Sequence, residues 1–137
     1  MITAVDTNVL LDVFGGDAEF GRRSADALRR CIAEGSLLAC DVVWAETGAW
    51  FPDAEAAENA LSRLRVDYSP LAAATALAAG RAWQAYRQAG GTRERVIADF
   101  LIGTHAAAQA DRLLTRDRGF YRSCFAGLPI LDPSDGG

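Results

Sequence analysis

Residues 2–12, ITAVDTNVLLD, carry three signals in succession. Ile2–Val5 is a short run with no polar alternation, as expected for a strand covered on both faces. Asp6 ends it. Thr7–Phe14 then has helical character, and Gly15-Gly16 stops the helix. A doubly covered strand, an acid and a helix make the first half of a βα unit, and the rest of the chain repeats the alternation. Asp17 is placed to cap a long amphipathic helix reaching Ala33, closed by Gly35. Leu37–Cys40 is a second strand, and Asp41 caps a helix over Val42–Trp50 that ends before Pro52. Asp53 caps a further helix to Leu64, and Val66–Tyr68 is a third strand. Pro70 opens an Ala-rich helix ending at Gly90-Gly91. A helix over Val96–Ala110, a strand over Arg112–Thr115, a helical turn at Arg118–Arg122 and a weak strand at Pro129–Leu131 complete the chain. Short strands alternating with helices predict an α/β fold with a mainly parallel sheet. We expect one domain over residues 1–133 and a flexible tail over 134–137.

Composition removes several function classes. No apolar stretch approaches the roughly 20 residues of a membrane helix. The N-terminus has no basic region before its apolar run, so a cytoplasmic protein without a membrane role is expected. Cys31, Cys40 and Cys124 are odd in number and lack a CxxC pair, which argues against a disulfide framework or a structural zinc site. His105 is the one histidine, and nothing in the sequence brings it to a cysteine. All 14 basic residues are arginine. Schiff-base and P-loop lysine chemistry are thereby excluded, whereas arginine suits bidentate phosphate recognition. Net charge is −4, so bulk charge does not mark a nucleic-acid binder.

Four acids lie in or beside apolar runs: Asp6, Glu46 in VVWAETGAW, Asp99 in VIADFLIGTHA and Asp117 in LLTRDRGF. Apolar surroundings suggest that each is drawn inward, and a buried carboxylate costs several kcal/mol unless paired. Asp6 and Asp117 follow the carboxyl ends of strands, where open parallel sheets bind ligands. Glu46 lies on the helix after the second strand, and Asp99 in the first turn of the helix before the fourth. All four can reach one cleft. An all-carboxylate site selects a hard cation, Mg²⁺ or Mn²⁺, and such ions serve phosphodiester hydrolysis. Thr7, Asn8 and Thr115 can orient the acids or bound water. Gly103, one turn after Asp99, suggests close approach of another backbone or a ligand. Arg93 and Arg95 before Asp99, and Arg116 and Arg118 around Asp117, are candidates for RNA phosphate contacts.

Simpler readings stand beside these. Asp6 and Asp117 would also cap the helices that follow them, and Asp17, Asp41 and Asp53 are assigned to caps alone. Asp12 fits a solvated helix residue better than a fifth ligand. His105 lies about 240° around the helix from Asp99 and fits a packed or surface histidine. Trp44 fits the core. Trp50, on the face of Glu46, and Phe51 fit either the core or a groove for a partner helix.

The segments VDTNVLLD, WAE, IADFLIGTHA and RLLTRDRGFY, in that order and along nearly the whole chain, resemble a PIN-domain ribonuclease of the VapC toxin type. The resemblance implies a three-layer α/β/α sandwich and Mg²⁺- or Mn²⁺-dependent endoribonuclease activity. Asp6, Glu46, Asp99 and Asp117 fall on that family's acidic quartet, with Asp6 and Asp99 on its most constant metal ligands. Thr115 falls on the hydroxyl that supports the last acid and Asn8 on the polar residue two after the first. A homodimer and a VapB-like antitoxin partner are also implied, and if Trp50 and Phe51 line a groove rather than the core, that groove is where an antitoxin segment would sit. His105 stands where a small residue is more usual. Two other classes compete. A receiver- or phosphatase-like domain also binds Mg²⁺ at an early strand end but needs a lysine that this chain lacks. A non-catalytic RNA-binding or scaffold module, or a housekeeping nuclease, would keep the fold.

Overall fold

A computed structural model describes residues 1–92 and 95–135. Five strands, β1 (Ile2–Val5), β2 (Ser36–Cys40), β3 (Val66–Ser69), β4 (Arg112–Leu114) and β5 (Ile130–Leu131), form one sheet in the order β3-β2-β1-β4-β5. Every pairing is parallel. Seven helices are described: α1 (Thr7–Phe14), α2 (Gly21–Glu34), α3 (Asp41–Gly48), α4 (Ala54–Arg63), α5 (Ala73–Gln88), α6 (Ile97–Gln109) and α7 (Arg118–Cys124). They cover both faces of the sheet in a three-layer α/β/α arrangement. The chain runs outward from β1 to β3, then returns to place β4 on the other side of β1. That reversal opens a crevice between the carboxyl ends of β1 and β4, the usual ligand position in such sheets.

The central strands hold the core. Val5, Leu37, Leu113 and Leu114 are almost fully buried, with Val9, Leu10, Val43 and Phe100 packed over them from the helices. Each such side chain contributes about 1.5–3 kcal/mol of burial. Arg112 is a buried cation in β4. Its Nε donates to Thr3 (2.9 Å) and its Nη2 to Glu34 (2.6 Å), which satisfies the guanidinium inside the fold. Cys31 and Cys40 lie in the core and Cys124 is half-buried, all three as free thiols.

Several boundaries differ from the sequence reading. Asp17 caps a turn, accepting from the backbone N–H of Glu19 (2.9 Å) and Phe20 (2.8 Å), and α2 begins only at Gly21. Asp41 is the first residue of α3, not its cap. Its carboxylate accepts from the Leu71 N–H (2.7 Å) and the Tyr68 hydroxyl (2.8 Å), tying α3 to the segment after β3. Asp53 does cap α4, accepting from Ala56 N–H at 2.8 Å. The Ala-rich helix starts at Ala73, three residues beyond Pro70. Ser134 and Asp135 belong to a 3-10 turn, Pro133–Asp135, that Arg118 holds through Asp135 (2.7 Å), so the chain is structured past residue 133. Residues 136–137 lie outside the described residues.

Candidate active site

Asp6 stands where β1 ends and α1 begins. Its N–H still donates to the Leu114 carbonyl (2.9 Å), so its place is fixed by the β1–β4 ladder. Its carboxylate accepts from Thr7 N–H (2.7 Å), the Thr115 hydroxyl (2.8 Å) and the Asn8 amide (3.3 Å). Thr115 also accepts from the Asp117 N–H (3.0 Å), and Asn8 accepts from the Arg116 N–H (3.2 Å). These bonds lock the loop after β4 onto the start of α1. The Thr7 hydroxyl donates to Glu46 (2.7 Å), bringing α3 to the same point. Asp99 sits in the first turn of α6 and accepts from Val96 N–H (3.3 Å).

The four acids differ in exposure. Asp6 is buried at 7 % exposure, Asp99 and Asp117 are half-buried, and Glu46 is exposed. The expectation that all four are drawn inward is corrected on this point. Burial above all pushes the Asp6 carboxyl up to about 6, against the hydrogen bonds from Thr115 and Thr7, and the charges of Glu46 and Asp99 add to the rise. Asp117 has a cation of its own. Arg95 grips both its oxygens, with Nη2 at 3.2 Å, while its guanidinium lies 4.3 Å from the centre of the Phe120 ring.

Tyr121 on α7 escaped the sequence reading. It is fully buried and meets the Phe120 ring edge-to-face at 4.9 Å, and its hydroxyl lies beside the Asp6 carboxylate without a well-aligned hydrogen bond among the described residues. Burial, then the charges of Asp6, Asp99 and Asp117, raise its pKa, so it is a protonated phenol facing the acids. Its place directly after Phe120 makes it look like one more core aromatic, and no sequence signal separates the two.

The remaining candidates are distributed as follows. Arg93 lies outside the described residues. Arg116 turns away from the acids to Asp12, with two bonds of 2.7 and 3.0 Å, and covers the Phe20 ring at 4.1 Å. Asp12, expected to be solvated, is 4 % exposed and also accepts from Ser24 (2.8 Å). Arg118 pairs with Asp132 (3.6 Å) and Asp135 (2.7 Å). Trp50 is 51 % exposed and forms an edge-to-face cluster with Phe51 and, through it, Phe14. Trp44 packs against the core. His105 is buried and bonded to the Ser69 hydroxyl (2.8 Å), and burial lowers its pKa. A Cβ on Gly103 would come within 2.4 Å of the Phe125 ring, so a side chain, not a backbone or a ligand, is what approaches there.

Among the described residues, no three His, Cys, Asp or Glu side chains stand close enough to enclose one ion. The donor set still fits a hard cation of the Mg²⁺ kind, which takes one or two carboxylates and completes its shell with water. Asp6 supplies a buried carboxylate with no cationic partner, and Asp99 and Glu46 add acid oxygens that already act on it. With Asp117 countered by Arg95, the uncompensated charge lies with these three.

Similar architecture occurs in solved structures. VapBC2 from Rickettsia felis, bound to a DNA fragment from its promoter, superposes with a TM-score of 0.73 at 20 % identity, over 96 % of this chain and 98 % of that one. VapBC-1 from nontypeable Haemophilus influenzae gives 0.72 at 17 % identity, over 98 % and 99 %. A toxin–antitoxin complex from Klebsiella pneumoniae gives 0.64 at 21 % identity, over 96 % and 97 %. No curated protein matches the chain by sequence. The PIN domain model matches residues 3–126, a span that runs from β1 to the end of α7 and contains all four acids, and the chain belongs to the PIN-domain family.

Proposed function

We propose that this chain is the toxin of a VapBC-type pair, an endoribonuclease that hydrolyses RNA phosphodiester bonds with Mg²⁺ or Mn²⁺. The observation that carries the reading is Asp6. It is a buried carboxylate at the topological switch point, held by three neutral donors, whose charged neighbours Glu46 and Asp99 are themselves acids. A fold has little reason to keep such a group without an external cation.

Asp6 and Asp99 are the residues to hold the ion, with Glu46 and Asp117 completing the site. When bound, a divalent ion supplies charge stabilisation at the phosphate and a lowered pKa for water. The chain's own groups do the rest. Thr115, Thr7 and Asn8 fix both oxygens of Asp6, so the carboxylate need not reorganise when substrate arrives. Glu46, exposed and tethered by Thr7, is placed to accept a proton from the attacking water. Arg95 holds Asp117 at the rim and offsets part of the acidic field that would repel RNA. The water oxygen bonds to phosphorus as its proton passes to Glu46, the bond to one ester oxygen breaks, and that oxygen leaves as a hydroxyl after taking a proton from solvent.

The VapBC complexes among the similar structures support a small VapB-like antitoxin as partner. The exposed Trp50 and its neighbour Phe51 are proposed as its aromatic contact, and a homodimer in the cytoplasm completes the proposal. The test is a metal-titrated cleavage assay on RNA with the wild type and Asp6→Asn. Cleavage that needs Mg²⁺ or Mn²⁺ and is lost in Asp6→Asn is expected. No cleavage with either ion, together with equal metal binding by the two proteins, would overturn the reading.

A further inference from the structure

Arg116 and Arg95 each hold an aspartate near the site, but on different terms. Asp12, the partner of Arg116, has a side chain 4 % exposed and a further bond from Ser24 (2.8 Å), so that pair is enclosed. The Asp117 side chain is 33 % exposed and that of Arg95 is 29 % exposed. Both arms of the Arg95 guanidinium are engaged there, Nη1 on one carboxylate oxygen and Nη2 (3.2 Å) on the other. A divalent ion cannot join that carboxylate without meeting the guanidinium charge at close range. Arg95 and the ion therefore compete for Asp117. The rest of Asp117 is already in the site. Its N–H donates to the Thr115 hydroxyl (3.0 Å), which in turn donates to Asp6 (2.8 Å). The backbone is thus fixed beside the acids while the side chain is turned to Arg95.

Arg95 is also placed to change partners. It stands two residues before α6, whose first turn carries Asp99, and the Asp99 charge acts on the same guanidinium. The guanidinium lies 4.3 Å from the centre of the Phe120 ring, a flat support on which it can turn without losing its packing. The fork that fits a carboxylate fits a phosphodiester equally well, through its two unesterified oxygens. Exchange of a pair this open to solvent costs little, whereas the same exchange at Asp12 would strand a buried charge. We infer that Arg95 is a latch on the fourth acid: it holds Asp117 until a phosphodiester of the substrate takes the guanidinium, and Asp117 then joins the acids that hold the ion. Metal and phosphate binding are coupled through this one side chain. Arg95 is in these terms a positioning residue, and Asp117 has a role distinct from that of Asp6.

This inference rests on the ribonuclease reading, and the test separates the two. Calorimetry follows Mn²⁺ binding to the full-length, metal-stripped protein, a readout independent of cleavage. Arg95→Gln should bind Mn²⁺ about tenfold more tightly than the wild type, the lower end of what a group around a metal typically controls. The gain should vanish when Asp117→Asn is added, because no acid is then left to release. A general loss of positive charge would instead act equally in both backgrounds. The melting temperature in chelator reports whether each variant is folded. Arg95→Lys, which keeps the charge but cannot take both oxygens, is the second variant and should shift Kd in the same direction. Dimethyl phosphate, the smallest phosphodiester, is then added at matched ionic strength. It should tighten Mn²⁺ binding to the wild type about fivefold or more and act less on Arg95→Gln. Three results would each overturn the latch: no gain in Arg95→Gln or Arg95→Lys, a gain that survives Asp117→Asn, or an equal response of the wild type and Arg95→Gln to dimethyl phosphate. RNA cleavage by the wild type with Mn²⁺ would then leave the nuclease reading standing. If the wild type neither binds Mn²⁺ nor cleaves RNA, the nuclease reading itself fails and the latch falls with it.

Discussion

Asp6 and Asp12 are buried to nearly the same depth, 7 % and 4 % exposed, one at the start of α1 and the other near its end. Their surroundings are opposite. Asp12 is gripped by Arg116 through two hydrogen bonds and by Ser24 through a third. Its charge is answered inside the fold, and the Phe20 ring shields the pair from one side. Asp6 has hydroxyl, amide and backbone donors but no cation, and the charges nearest it are negative. A buried charge with its own partner is structural. A buried charge whose orientation is fixed and whose neutralisation is left open is a site.

The largest effect that would break this contrast is on turnover. Asp6→Asn should abolish RNA cleavage, losing about 10³-fold, since loss of metal-assisted stabilisation is worth several kcal/mol at the barrier. Asp12→Asn, equally buried, should leave kcat near wild type in whatever fraction remains folded. A single-turnover assay on both variants checks the pair, and equal losses would erase the distinction.

On stability the order reverses. Arg116→Met strands Asp12 without its partner and should destabilise the fold by about 2–4 kcal/mol, below the full figure for a buried pair because the guanidinium is partly solvated. Asp6→Asn removes a charge that burial disfavours and should stabilise metal-free protein by about 1–3 kcal/mol at pH 7.5. Urea unfolding in the presence of a chelator measures both, and shifts of the same sign would contradict the assignment.

The contrast was half legible in the sequence. β1, its following acid and α1 declare themselves within residues 2–14 because strand, cap and helix signals there are local. The four acids could be gathered at one sheet edge because each sits a fixed step from a strand or helix end. The pairings could not. Arg116 reaches Asp12 across 104 positions and Arg95 reaches Asp117 across 22, and no spacing rule joins such partners. Asp12 therefore reads as a solvated helix residue, and Arg116 as free for phosphate. Glu46 misled in the other direction. Val43 and Trp44 suggest burial, but α3 has apolar residues all round, so its neighbours do not say which face meets solvent. The fold is written in local periodicity, whereas the charge balance of the site is written in long-range contacts.

Titration sharpens the same comparison. The folded pKa of Asp6, about 6, lies above the ordinary value of 3.8. The folded chain therefore holds that proton more tightly than the unfolded chain does. The stabilising contribution is full below about pH 4 and is lost as pH rises through 6, a swing of about 3 kcal/mol. The difference in unfolding free energy between wild type and Asp6→Asn should follow this curve in chelator. Saturating Mg²⁺ binds the ionised form, so it should flatten the curve and reverse the penalty at neutral pH. A difference that stays constant from pH 4 to 8 without metal would mean that Asp6 is better compensated than its contacts indicate.

Tyr121 gives the smallest and most discriminating shift. Its hydroxyl is fully buried beside the Asp6 carboxylate, within the field of Asp99 and Asp117, and makes no well-aligned hydrogen bond among the described residues. An unsatisfied buried hydroxyl is a cost, so Tyr121→Phe should stabilise the metal-free protein by about 1 kcal/mol. A phenol that serves only to fill space would change nothing else. If it instead donates to the acid cluster or its water once a cation is present, its loss should weaken Mg²⁺ binding about tenfold, as removal of a supporting group around a metal typically does. Calorimetric titration of both proteins separates these outcomes, and we expect the second. The gain without metal and the loss with it would then come from one oxygen atom, which is the Asp6 pattern repeated in a neutral group: a polar atom that the fold buries, aims and leaves unsatisfied until the ion arrives.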